Sequence, residues 1–228
     1  MVLLELFAGS RSVGKEAEAL GFKVFSVDIN NFEKIDLVID ILKLKREMIP
    51  VKPSIIWASP PCTTFSVASI GTHWGENGTP KTNEAVKGLE ILSKTLQIIQ
   101  WFPNAFYFIE NPRGMMRKKL TGLDRVTVTY CTYGDKRMKP TDIWSNNIKD
   151  IFNPNGWQPR PKCFNGNKKC HHEEAPRSIT IKKLKKKGII KTIGGTQALA
   201  NAYERSKIPP ELCKEILTTV KKQLKNGI

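Results

Sequence analysis

Acidic side chains are scarce in this 228-residue chain: 37 lysines and arginines face 21 aspartates and glutamates, a net charge of +16 at pH 7 with a sequence pI near 9.7. Such an imbalance points to a polyanionic partner, most often nucleic acid, with a solubilising lysine surface as the plain alternative. Long apolar runs are missing too. None approaches the roughly 20 residues of a membrane-spanning helix. The opening "MVLLELFAG" has no basic flank and already carries Glu5, which argues against a signal peptide and for a cytosolic protein. Cysteines number five, Cys62, Cys131, Cys163, Cys170 and Cys213, an odd count without the spacing of a small secreted domain. A disulfide scaffold is excluded on that ground, and reduced thiols with catalytic or metal-binding roles are expected. No internal repeat is visible.

What is present reads as one sizeable domain. "VLLELF" at 2 to 7 has the pattern of a buried strand, and "KEAEALG" ending at Gly21 that of a helix. Further strands are predicted at "FKVFSVDIN", "DLVID", "SIIWAS", "AFYFIEN" and "RVTVTYCTY", with a long helix over residues 83–101. Strands alternating with helices indicate a doubly wound α/β sheet. Beyond residue 146 the periodicity fades into prolines, asparagines, two cysteines, two adjacent histidines and lysine clusters. The chain thus divides into a core at 1–146, an irregular basic insert at 147–193 and a helical tail at 194–228 that completes the core. Most of the basic runs fall at 113–119, 158–169 and 182–191.

The stretch "FAGSRSVG" between the first strand and first helix suits a nucleoside-like ligand, because backbone amides and glycines allow close approach there. An ordinary glycine turn is the alternative. Asp28, at the end of the second strand, stands where an acid can bind ribose hydroxyls, about 20 residues after the loop. Asp40 closes the next strand. The Walker lysine and the second glycine of a dinucleotide fingerprint are both absent. S-adenosylmethionine therefore suits this loop better than a polyphosphate.

In order along the chain, "LELFAGSRSVG", "VDIN", "VIDI", "SPPCTTFS", "FIENPRG", "YCTYGDKRMKPTDIW" and "RSKIPPELCKEI" resemble the C5-cytosine DNA methyltransferase family, and in particular its compact bacteriophage members. The resemblance implies a Rossmann-like S-adenosylmethionine-dependent sheet with a small target-recognition insert. It also implies a DNA substrate, double-stranded with the cytosine flipped out, and the host cytoplasm for a phage-encoded member, with restriction–modification, protection of phage DNA and regulation left open as its role. Phe7, Ala8, Gly9, Ser10 and Gly14 would form the cofactor loop. Asp28 with Ile29 would meet the ribose, Asp40 with Ile41 the adenine, and Ser59 the same ligand. Cys62 would be the nucleophile, Glu110 would bond the pyrimidine edge, and Arg137 or Lys139 would contact its carbonyl oxygen.

The chemistry asks for the same residue types. Carbon 5 of cytosine is a poor nucleophile until a thiolate adds at carbon 6. The thiol must be held rigidly with its pKa lowered by positive charge or a helix end, and Pro60 and Pro61 stiffen the approach to it. A carboxyl such as Glu110 stabilises the adduct, and the base must leave the duplex to reach the pocket. The residues after Cys62 would form a mobile loop, with His73 and Trp74 as candidate contacts to DNA. An RNA cytosine substrate, or a nucleic-acid-binding homologue with weak catalysis, are the competing readings.

Three departures from the family stand out. Proline follows the Glu-Asn pair, Arg11 and Ser12 replace common glycines, and Arg137, Lys139 and Thr141 replace a Gln-x-Arg-x-Arg element. The insert is also short, so few base edges can be read. Within it, Cys163, Cys170, His171 and His172 could hold zinc, with Cys131 as a further ligand. The alternative is a basic loop touching phosphates.

Overall fold

The computed structural model describes residues 1–172, 188 and 202–226. Among these, seven strands form one sheet in the order β3-β2-β1-β4-β5-β7-β6. They are β1 (Val2–Leu6), β2 (Lys23–Asp28), β3 (Leu37–Val38), β4 (Ile55–Ala58), β5 (Phe106–Pro112), β6 (Arg125–Thr129) and β7 (Pro140–Ser145). Helices α1 (Ser12–Ala19), α2 (Ile70–His73), α3 (Asn83–Gln100), α4 (Ala202–Ser206) and α5 (Pro210–Lys225) complete it.

The central strands are apolar on both faces because helices cover both, as a parallel sheet requires. Alternation along each strand decides which layer a residue enters. Leu3, Ile55, Trp57 and Phe108 join α1 and α5 residues Val13, Ala17, Leu212, Ile216 and Val220 on one side. Leu4, Ile56 and Ala58 meet Ile98 of α3 on the other. Thr82 starts α3 by accepting the Ala85 amide on its hydroxyl at 3.2 Å, an N-cap that satisfies one orphan donor.

One strand escapes sequence reading. β7 runs antiparallel between β5 and β6, and its sequence "PTDIWS" hides a fully buried acid, Asp142. Arg117 meets that carboxylate at 2.6 Å, Arg125 at 3.1 Å and the Thr127 hydroxyl at 2.8 Å, so its burial is compensated. The strand expected to run through Tyr133 stops at Thr129, and Tyr130–Tyr133 form a 3-10 turn.

The described part of the insert is irregular, yet its first half packs into the core. Trp157 is buried among α5 residues and donates to Glu215 at 3.1 Å, while Asn147 bonds Gln223 at 2.8 Å. Much of the basic excess is also spent internally. Arg117 serves Asp142, and Arg160 pairs with Glu211 and Glu215 at 2.7 and 2.9 Å. The run 182–191 lies outside the described residues apart from Gly188. No helix among the described residues is long and apolar enough to cross a membrane.

Glu5 fixes the start of α1. It accepts the amides of Val13 and Gly14 at 3.2 and 3.1 Å on one oxygen, while the other oxygen is buried without a partner. A β-carbon at position 14 would collide with that second oxygen, which is why Gly14 stands there. Burial pushes the carboxyl up to about 7 from 4.5, against the opposing pull of the two amides and Arg11. The folded chain therefore holds the extra proton between these values, and stability present below pH 4.5 is lost as the pH rises towards 7, by up to about 3 kcal/mol. Urea unfolding across this interval should show stability falling with pH in the wild type and a flatter profile in Glu5→Gln; the same slope in both would contradict this assignment.

Candidate active site

The carboxyl ends of β4 and β5 lie side by side, with Ala58 opposite Ile109, so the residues that follow them share one edge of the sheet. After β4 come Ser59, Pro60, Pro61 and Cys62. Ser59 accepts the Trp57 indole N–H at 3.0 Å. After Ile109 come Glu110 and Asn111, both buried. The Asn111 amide donates to the Pro60 carbonyl at 2.8 Å, so the second strand grips the proline turn directly. Sequence reading gives Asn111 only the turn into Pro112.

Beyond Cys62 the backbone folds back at once. The Cys62 carbonyl accepts the amides of Phe65 and Ser66 at 3.1 and 3.0 Å. Phe65 is buried, and its carbonyl accepts the Met115 amide at 2.7 Å. Gly114 is the residue that permits this approach, since a β-carbon there would overlap the Phe65 carbonyl oxygen. Trp74 is 2 % exposed, packs at a tilt against Phe65 and donates to the Thr64 carbonyl at 2.7 Å. The expected mobile loop is thus pinned at both ends, and Trp74 is a core residue instead of the expected contact to DNA. His73 bonds the Thr82 hydroxyl at 2.7 Å beside the start of α3.

Cys62 is partly exposed. Burial pushes its thiol above the ordinary value; Lys139 and Arg205 pull the other way and Glu110 adds to the rise. The expectation of a lowered pKa is overturned here, because desolvation outweighs the nearby cations.

Glu110 accepts the Tyr130 hydroxyl at 2.8 Å. Tyr130 is fully buried and escapes sequence reading, since its partner lies on another strand. Lys139 rests over the Tyr130 ring at 4.5 Å and donates to the Arg205 carbonyl at 3.1 Å. Burial lowers its ammonium pKa, with Glu110 and Cys62 opposing the shift. Arg137 has other commitments. It forks onto Asp135 and donates to the carbonyls of Arg205 and Lys207, each at 3.1 Å. Of the two cations, Lys139 is the one coupled to both Cys62 and Glu110, and Arg137 fastens the end of α4 and the residue that follows it.

The loop between β1 and α1 approaches the same edge. Phe7, Gly9 and Arg11 adopt left-handed backbone, with φ of 58, 48 and 53°. Arg11 holds a conformation that favours glycine, offset by bonds from its buried guanidinium to Ser26 at 3.0 Å and Glu18 at 2.7 Å. Asp28 accepts the Gly9 amide at 2.9 Å and the Asn30 amide at 2.8 Å, one on each oxygen. Ala8 and Ser10 are buried, while Ile29 is 62 % exposed. Asp40 caps the turn Ile41–Lys43 through the Leu42 amide at 3.0 Å. Ile41 points into the core near Leu44 and Ile49. A cleft of about 490 Å³ opens between this loop and the later segments, lined by Ser10, Ser12, Glu16, Asp135, Arg137 and Pro209 among others. The Ile208 amide closes one side by donating to the Ser12 hydroxyl at 3.2 Å.

Away from the thiol, Cys131, Cys163, Cys170 and His172 bring three sulfurs and an imidazole nitrogen within 4.8 Å of one another. His171, expected in this set, turns away and bonds the Asp135 carbonyl at 3.1 Å. Adjacent histidines leave the chain on different sides, so one joins the cluster and its neighbour does not.

Removing the Lys139 charge should raise the Cys62 pKa further. Native-state alkylation of Cys62 followed against pH by peptide mass should show a midpoint above 9.0, displaced upward in Lys139→Met. An unmoved midpoint would contradict the electrostatic coupling.

No family profile matches the chain. A Frog virus 3 (isolate Goorha) protein described as a probable DNA (cytosine-5)-methyltransferase is 30% identical over 154 residues, covering 64% of this chain and 71% of that relative. Among solved structures, the Entamoeba histolytica methyltransferase EhMeth superposes with a TM-score of 0.54 at 11% identity, covering 98% of each chain, a likeness of fold. With a proline-cysteine turn and a buried Glu-Asn pair on neighbouring strands of a methyltransferase sheet, the chain belongs to the C5-cytosine methyltransferase family, enzymes that depend on S-adenosylmethionine.

Proposed function

We propose that the chain methylates carbon 5 of cytosine in DNA, with Cys62 as nucleophile and Glu110 as the group that holds the base. The observation that carries this reading is the pairing of β4 with β5, which sets a partly exposed thiol beside a buried carboxylate already oriented by Tyr130. DNA is favoured by the description of the Frog virus 3 relative and by the +16 charge, since phosphate contacts dominate affinity for nucleic acid.

The loop between β1 and α1 fits S-adenosylmethionine. Asp28 uses one lone pair of each oxygen on backbone amides, and the remaining lone pairs suit ribose hydroxyls. Phe7, Ala8, Gly9 and Ser10 would surround the ligand, Gly14 gives α1 its close approach, and Ile29 offers an exposed apolar face. Asp40 would meet the adenine with the backbone of Ile41, whose side chain is committed to the core, and Ser59 would close the site from β4. When bound, this cofactor supplies an electrophilic methyl group.

The protein's own residues do the rest. With the cytosine out of its stack, the Cys62 thiol gives up its proton as its sulfur bonds to carbon 6, the ring gains one on the pyrimidine-edge nitrogen that Glu110 holds, and carbon 5 becomes a nucleophile. Glu110, fixed by the Tyr130 hydroxyl, offers its second oxygen to the pyrimidine edge. Lys139 faces the charge that develops on the ring and on sulfur, at a distance from water that strengthens its effect. Arg137 is a positioning residue that holds the 204–207 segment against the site. Once carbon 5 is methylated, a base or water takes its proton, the carbon–sulfur bond breaks with its electron pair on sulfur, and the proton held on the ring nitrogen returns the thiolate to the thiol. The short insert would confine sequence reading to few base pairs.

Labelled S-adenosylmethionine should deliver label to cytosine-containing duplex DNA. Cys62→Ala should abolish transfer, Glu110→Gln should lower kcat by about 100-fold or more, and Tyr130→Phe by roughly tenfold, the loss of one charge-assisted hydrogen bond. Label on RNA and none on DNA would overturn the substrate assignment. Full transfer by Cys62→Ala would overturn the mechanism.

A further inference from the structure

The cluster at Cys131, Cys163, Cys170 and His172 takes no part in the methyl-transfer chemistry, and its members come from two places. Cys131 lies in the 3-10 turn directly after β6. The other three lie at the end of the described insert. All four ligand atoms fall within 4.8 Å of one another, and the cysteines are unpaired.

We infer that these residues form a structural zinc site that staples the basic insert to the catalytic sheet. The donor set is the first support. Three sulfurs and one imidazole nitrogen make a closed four-coordinate shell, the type used for structural zinc, with no position left for water or substrate. Spacing is the second. Zn–S bonds of about 2.3 Å and a Zn–N bond of about 2.05 Å at the tetrahedral angle place sulfur and nitrogen about 3.6 Å apart. The Cys163 sulfur and the His172 Nδ1 are 3.6 Å apart. Two sulfurs on the same ion would be about 3.8 Å apart, about 1 Å inside the 4.8 Å span within which all four atoms lie.

Surrounding bonds orient the ligands, as outer-shell partners do in metal sites. The Asn167 amide donates to the Cys163 sulfur at 3.4 Å, and the Cys163 amide donates to the Thr129 hydroxyl at 2.8 Å. His171, beside the ligand His172, bonds the Asp135 carbonyl at 3.1 Å. Around this loop the chain has little apolar material with which to hold itself: Phe164 is exposed, and so are Lys162, Lys168 and Lys169. A metal supplies the fixed point that a core would otherwise provide.

The staple reaches the catalytic edge in one residue. Cys131 follows Tyr130, whose hydroxyl holds Glu110 at 2.8 Å. An effect of zinc on methyl transfer rests on the proposed role of Glu110, whereas zinc content and loop protection do not. Failure of one reading therefore leaves the other visible.

Full-length protein purified without added metal should contain about one zinc per chain by mass spectrometry of the elements. Cys163→Ser and His172→Ala should lose it, and His171→Ala should keep it. Because the first two variants can misfold, the wild type supplies a second measurement. After zinc removal, Co2+ should restore the visible bands of a tetrahedral thiolate site, and chelation should open tryptic cleavage at Lys162, Lys168 and Lys169. Metal-free wild type with freely titrating thiols, a disulfide among these cysteines, or zinc retained by Cys163→Ser would overturn the site. Cleavage at the three lysines that chelation leaves unchanged would overturn the staple.

Discussion

The bond from the Asn111 amide to the Pro60 carbonyl, 2.8 Å long and buried, joins the two strand ends that hold Cys62 and Glu110. β4 delivers Cys62 and β5 delivers Glu110. Neighbouring strands put these residues on the same edge, but only a direct tie fixes how the proline turn leaves the sheet. The other constraints build outward from it. Gly114 lets the backbone after Cys62 return against β5's exit, and Tyr130 reaches over to fix the carboxylate that Asn111 neighbours. Preorganisation of this kind is what a reacting centre requires, since small displacements of the attacking atom cost large factors in rate.

Electrostatics at this edge pull in opposite directions. Burial raises the Cys62 thiol pKa, and Lys139 and Arg205 restrain the rise without cancelling it. Burial therefore favours the neutral thiol over the thiolate, and the two cations narrow that preference. Lys139 is itself shifted down by burial, so the site contains two groups whose charges are both suppressed by the same dry surroundings. Their coupling ties the charge state of the thiol to that of Lys139. The chain's large basic excess adds a second lesson. Arg117, Arg125, Arg137 and Arg160 are engaged with acids of the same molecule, so the positive count overstates what a polyanion meets, although +16 remains the net.

The sheet was readable in the sequence wherever a strand was apolar and continuous, as in β1, β4 and β5. β7 was not, because Asp142 breaks the hydrophobic pattern and only Arg117 and Arg125, distant along the chain, make its burial tolerable. Cys62 and Glu110 could be named because "SPPCTTFS" and "FIENPRG" carry the family resemblance in order; taken locally they are one thiol among five and an acid at a strand end. The partners that orient them could not. Tyr130 and the second role of Asn111 depend on strand order, which places residues from 20 to 51 positions apart in contact. The same holds for the loop after Cys62, where small and hydroxyl residues suggest mobility while Phe65 and Trp74 anchor it. Of the four insert and turn residues around the metal-type cluster, Cys131 was the distant one, and His171 and His172 could not be told apart without the backbone between them.

The central claim is that the Cys62 sulfur bonds to carbon 6 of a cytosine held by Glu110. Duplex DNA carrying 5-fluorocytosine retains the adduct, because fluorine at carbon 5 cannot leave as a proton does. Incubation with S-adenosylmethionine followed by peptide mass spectrometry reads the bonded residue directly. The account predicts a covalent nucleotide on the peptide containing Cys62 and none in Cys62→Ala. Trapping on any other cysteine, or no adduct from a preparation that methylates unmodified DNA, would contradict it.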